Sequence, residues 1–295
     1  MIELLNIKKS FDNKEIIKDV SLTIPDGEFF GLVGINGAGK STLLRLISTV
    51  YQPDSGKILI DREDINLSIN KKKDLFYLSD DLYYPRYSNI KNFLQFYKTF
   101  YSINEEKFIS ITSDLKLDFK RNISNYSKGM KRQLFITLAL SMNVNYLLLD
   151  EAFDGLDPLA RLIFKKEIIK AKEENPNLTV IFTSHNLKEL EDLTTTFAII
   201  DKGEIISSGY LESEKRNINK YQLAFNDVKT KDDFLDFCVI DYHQEGRVIQ
   251  LVIKGDENKI MSELQKMNPL LLEKVNLDFE EFFIAQSKER GYLKW

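Results

Sequence analysis

The apolar positions of this chain begin as short runs rather than long stripes. Residues 3–7, 21–24 and 29–33 read as strands, the last two separated by the turn Pro25-Asp26-Gly27. Residues 57–60, after Pro53-Asp54-Ser55-Gly56, and residues 75–78 read the same way. From about residue 90 to 117 the spacing changes. Phe93, Leu94, Phe96, Tyr97 and Phe100 recur at threes and fours, which predicts a helical insertion between strands. Beyond it, helix (131–142), buried strand (146–149), helix (159–172), buried strand (178–183) and helix (187–193) alternate. Residues 197–200 and 204–208 then predict a hairpin around Lys202-Gly203. Such alternation predicts an α/β fold with a parallel sheet covered on both faces.

Around residues 211–219 the chain turns polar, with Glu212, Glu214, Lys215, Arg216 and Asn217. A domain boundary is expected there, giving one domain over 1–212, with a helical subdomain at about 88–142, and a small α+β domain over 213–295. The tail reads as strand, helix, two strands, helix, strand and a last helix, an order compatible with a ferredoxin-like sandwich.

Composition narrows the classes. The 295 residues suffice for a domain of about 200 residues and a smaller one. A net charge of −4 is not that of a nucleic-acid-binding surface, so no nucleic-acid partner is expected. The single cysteine, Cys238, excludes an internal disulfide and suits a reducing compartment. No signal peptide is expected, nor any run of the roughly 18 apolar residues that would span a bilayer. Work at a membrane would need another chain to cross it.

Chemistry enters at Gly34-Ile-Asn36-Gly37-Ala38-Gly39-Lys40-Ser41-Thr42, which fits the phosphate-loop pattern G-x-x-x-x-G-K-[ST] between a strand and a helix. Its glycines let successive N–H groups converge on an anion, and the helix N-terminus adds attraction. Lys40 is expected to reach the β- and γ-phosphates of a nucleoside triphosphate, and Ser41 to hold Mg²⁺. The loop alone does not choose among kinases, GTPases and ATPases. Four apolar residues ending in Asp150-Glu151 would deliver Asp150 to a sheet edge beside that loop, in support of Mg²⁺. Glu151 follows as a candidate to polarise the attacking water. Ser127 and Gly129 open a helix just upstream and make a second anion-binding constellation.

With these motifs the chain resembles the nucleotide-binding subunits of ATP-binding cassette (ABC) transporters over about residues 1–210. Tyr126-Ser-Lys-Gly-Met130 is similar to the family's signature motif, in the form seen in bacterial drug- and peptide-export cassettes. The tail, too, looks like the small C-terminal extension of those exporters. The resemblance implies an ABC ATPase core, a mixed sheet with antiparallel N-terminal strands and a helical insertion. It also implies a head-to-tail dimer, homo- or heterodimeric, in which Ser127 and Gly129 of one subunit contact ATP bound at the phosphate loop of the other. Phe11 would stack on adenine, and Gly155-Leu156-Asp157 corresponds to the loop that communicates between the two sites. His185 would be the switch histidine, acting with Lys40 and Glu151. Asp80 stands where the family places a metal-supporting Gln. A membrane subunit would be the partner, placing the chain at the cytoplasmic face of the plasma membrane, with amphipathic or antimicrobial peptides as cargo. The competing reading is a soluble cassette that clamps a ribosome or DNA.

Overall fold

In the computed structural model, which describes residues 1–79, 83–184 and 191–289, the chain forms two compact units. The first takes residues 1–186 and 200–205, the second residues 187–199 and 206–295.

In the first unit β1 (Ile2–Phe11) and β2 (Lys14–Ile24) form a long hairpin around Asp12-Asn13, both residues at positive φ (47° and 63°). That is the turn geometry whose twist matches paired strands. Both strands run several residues beyond the sequence expectation. Breaks in register within the pairing interrupt the period-two alternation that would have revealed them. The chain continues through β3 (Phe29–Val33), α1 (Lys40–Ile47), β4 (Ser55–Ile60), β5 (Glu63–Asp64), α2 (Ile69–Lys73) and β6 (Leu75–Leu78). One antiparallel sheet has the order β2-β1-β4-β5.

The helical insertion is two helices, α3 (Ile90–Tyr97) and α4 (Glu105–Asp114), rather than one continuous stretch. Asn89 and Asn104 start them, each accepting a hydrogen bond from the backbone N–H three residues on. α5 (Lys128–Leu140) follows, capped by Ser127, then β7 (Tyr146–Asp150), α6 (Pro158–Glu174) and β8 (Thr179–Thr183). β3, β8, β7 and β6 are parallel neighbours in that order. β7 and β8 are buried along their whole length, which accounts for their continuous apolar character. β9 (Thr196–Asp201) and β10 (Glu204–Tyr210) form the expected hairpin, and its turn, residues 200–205, belongs to this unit.

The second unit contains α7 (Leu211–Lys215), formed by the polar segment where a domain boundary is expected, followed directly by β11 (Ile218–Ala224). Then come β12 (Val239–Glu245), β13 (Val248–Lys254), α8 (Glu257–Lys266), β14 (Leu271–Val275) and α9 (Phe279–Glu289). The sheet order is β12-β13-β11-β14, every pairing antiparallel. The first helix expected in the tail is a single 3-10 turn, Lys231–Phe234, opened by a capping box between Thr230 and Asp233. Phe234 anchors that turn in a core with Tyr221, Leu223, Leu251 and Leu264, all fully buried. Phe234→Ala is expected to destabilise this unit by about 3–5 kcal/mol, the usual cost of emptying a buried phenylalanine site. Urea unfolding followed by a probe in the tail measures it.

Candidate functional site

β3 ends at Val33 and the chain turns back tightly before entering α1 at Lys40. Gly39 holds φ of 114°, and a Cβ on Gly34 would lie 2.3 Å from the Ile200 carbonyl oxygen. Glycine is dictated at the first by backbone conformation and at the second by space. Ala38 ties the loop to the β9–β10 turn, its carbonyl accepting from Gly203 N–H at 3.0 Å.

Lys40 is 5% exposed, and its Nζ donates to the carbonyls of Gly34 (2.7 Å) and Ile35 (3.2 Å). Burial lowers its pKa from the usual lysine value, opposed by the charges of Glu151, Asp150 and Asp154. The next residue of the helix, Ser41, donates from Oγ to Asp150 Oδ1 at 3.1 Å.

Asp150 is the last residue of β7, flanked by β6 and β8, and each neighbour supplies a hydroxyl. Thr183 Oγ1 donates to Oδ1 at 2.7 Å and Tyr77 OH to Oδ2 at 3.0 Å. A carboxylate 1% exposed is thus held by three hydroxyl donors, which offset the cost of its burial. Burial and the Asp150 charge push the Tyr77 phenol up, so it remains a donor at neutral pH. Arg45, one turn beyond Ser41 on the same helix face, lies over the Tyr51 ring and donates from Nη1 to its hydroxyl at 3.4 Å.

Glu151 follows with a left-handed backbone, φ 47°, uncommon for a residue with a side chain. Its N–H donates to Thr183 Oγ1 (2.9 Å) and to the Thr183 carbonyl (3.2 Å). The cleft these elements enclose has a volume of about 710 Å³. Asn36, Gly37, Gly39, Lys40, Ser41, Thr42 and Glu151 line it, and Phe11 stands at its rim, packed edge-on against Tyr51 with ring centres 5.1 Å apart. Tyr51, Arg45 and Tyr77 escaped the sequence reading. Only the spacing of Arg45, four residues after Ser41, offered a signal.

Ser127 and Gly129 are not among the residues lining this cleft. They stand at the N-terminus of α5, where Ser127 Oγ accepts from Met130 N–H at 3.2 Å. Gly129 abuts the loop at Gly155, whose carbonyl would lie 3.2 Å from an added Cβ. Asp80 and His185 lie outside the described residues.

The cleft suits a polyphosphate. A glycine-containing loop leads into the N-terminus of a helix, beside a lysine. The hydroxyl–carboxylate pair Ser41–Asp150 offers the hard oxygen donors that Mg²⁺ takes.

Residues 17–154 match the ABC transporter family model. The chain is 29% identical over 299 residues to the ABC transporter ATP-binding protein YtrB of Bacillus subtilis, covering all of both chains. It is 33% identical over 226 residues to the ABC transporter ATP-binding protein NatA of the same organism, covering 72% of this chain and 91% of that one. A dimeric bacterial ABC transporter cassette shares the fold with a TM-score of 0.61 at 22% identity, over 72% of this chain and 99% of that one. Among the described residues no helix is long and apolar enough to cross a membrane. The chain belongs to the ABC transporter family, and within it to the ATP-binding proteins that act as its ATPases.

Proposed function

We propose that this chain is the ATPase subunit of an exporter and that its nucleotide site is completed by a second subunit. The observation that carries the reading is the separation of two anion-binding elements. Lys40, Ser41 and Glu151 line one cleft, whereas Ser127 and Gly129, at a helix N-terminus, do not. A dimer closed head to tail would bring the second element over the first, and the dimeric fold relative is consistent with that.

In this reading Lys40 and the N–H groups of Asn36, Gly37, Ala38, Gly39, Ser41 and Thr42 bind the phosphates, and Phe11 stacks on the adenine. Ser41 and Asp150 would hold Mg²⁺, with Asp80 as a further candidate, and the bound ion would supply charge neutralisation on the phosphates. Glu151 orients and deprotonates the attacking water, while His185 and the partner's signature residues Ser127 and Gly129 hold the γ-phosphoryl group. Most of the rate then comes from positioning and electrostatics.

Closure would drive a membrane subunit at the cytoplasmic face of the plasma membrane. The Tyr-Ser-Lys-Gly-Met signature favours export of amphipathic or antimicrobial peptides. The division at about residue 212, with a helical subdomain at about 88–142 and a ferredoxin-like tail, belongs to the same reading, supported by the sheet order of the second unit. A ribosome or DNA clamp has no support in the net charge of −4 or in relatives that carry transporter names.

The test is complementation. Lys40→Ala and Ser127→Arg chains, each inactive alone, should regain about a quarter to a half of parental ATP turnover when mixed. The mixed dimer contains one intact composite site. Mixtures as inactive as their components would sink the trans arrangement.

A further inference from the structure

We propose that Arg132 is the residue that positions Glu151 for water activation and fixes the base rigidly to the helix bearing Ser127 and Gly129. This rests on Glu151 being the water-polarising base.

Arg132 lies on α5 and is 4% exposed. Its guanidinium is spread over backbone carbonyls from two separate segments. Nη1 donates to Ser79 at 3.1 Å, at the end of β6. Nη2 donates to Asp150 at 3.0 Å and to Glu151 at 2.5 Å, and Nε to Ala152 at 3.1 Å. Three consecutive carbonyls around the base are therefore gripped by one planar, permanently charged group. A lysine ammonium, a point charge with three donors, cannot reproduce that fork.

The grip falls where the backbone needs it. A non-glycine residue in the left-handed region costs on the order of 1–3 kcal/mol and persists only where its surroundings fix it. Glu151 has that conformation, and its two flanking peptide planes are pinned from opposite sides. Thr183 receives the N–H on one side, and Arg132 holds the carbonyl on the other. With both planes fixed, the direction in which the side chain leaves the backbone is fixed too. Released, the turn would relax toward ordinary φ and carry the carboxylate off line, and small misplacements of a base cost rate steeply.

Arg132 is also the fifth residue after Ser127 on a continuous helix. The element proposed to meet the partner's nucleotide and the turn bearing this subunit's own base thus move as one piece. A partner's nucleotide seated on the α5 N-terminus would then be sensed at Glu151 through a single side chain.

The test is a double-mutant cycle on the full-length chain, with ATP turnover and ATP binding measured on each protein. Arg132→Met is expected to lower kcat about 30-fold or more while ATP affinity stays within about threefold, because the cleft lining is untouched. Introduced into Glu151→Gln, it should change the residual turnover less than threefold, since the group it positions has already lost its function. Arg132→Lys should show the same pattern at reduced amplitude, and it replaces Arg132→Met in the cycle if the latter fails to fold. Turnover within threefold of the parent for a folded Arg132 variant would overturn the proposal. So would an equal fall in both backgrounds, the mark of a merely structural role. If Glu151→Gln alone turns over at the parental rate, the reading of Glu151 as the base fails, whatever the Arg132 variants do.

Discussion

A chain carrying Glu151→Gln is expected to bind ATP as the parent does and to turn it over about 10²–10⁴-fold more slowly, the span that a positioned general base ordinarily contributes. The substitution is nearly isosteric. It leaves the N–H bonds to Thr183 and the carbonyl bond to Arg132 in place, because those belong to the backbone. It also leaves the Lys40 hydrogen bonds to Gly34 and Ile35 in place, so phosphate binding by the loop should change little. If two nucleotides are sandwiched between two subunits, blocking hydrolysis should also trap the sandwich. Size-exclusion chromatography with ATP should then show a species of twice the parental mass, absent with ADP. Parental turnover in Glu151→Gln would remove Glu151 from the mechanism.

Lys40→Ala should fail one step earlier. Charge-assisted hydrogen bonds contribute about 1.5–3 kcal/mol each, so losing two to the phosphates lowers ATP affinity by roughly 10²–10⁴-fold. The protein should still fold, since Lys40 satisfies only two loop carbonyls, at Gly34 and Ile35. Thermal unfolding separates the two effects. In the parent, ATP at about 100 times its Kd should raise stability by about 2.7 kcal/mol, and in Lys40→Ala that increment should nearly vanish at the same concentration. An undiminished ATP-dependent shift would show that the loop binds phosphate without its lysine.

Legibility in the sequence followed locality. The phosphate loop could be read because its requirements, glycines at fixed spacing and a lysine at a helix start, lie within nine consecutive residues. Asp150 was legible because an unbroken apolar run buries itself as a strand and leaves the carboxylate that ends it at the sheet edge. Tyr77 and Thr183, which hold that carboxylate, could not be found in this way. They meet it only through the parallel register of β6, β7 and β8, and no local pattern encodes which strands become neighbours. Arg132 was hidden for the same reason, since its acceptors are main-chain carbonyls, which leave no trace in the side-chain alphabet. In the tail the strand positions were readable but the first crossover was not. Its residues form a single 3-10 turn, Lys231–Phe234, rather than a longer helix.

The tie between Ala38 and Gly203, together with the close approach of Ile200 to Gly34, has a consequence for biosynthesis. The phosphate loop lies near the start of the chain, but the turn that supports it is translated only after most of the first unit. At the usual 5–20 residues per second, the nascent loop waits on the order of ten seconds or more for its missing wall. For most of that interval, until β8 emerges, β3 has no finished parallel neighbour. Supply of this protein in the cell should therefore depend on chaperones that act on the growing chain, and slow codons between the loop and Gly203 should lengthen that dependence.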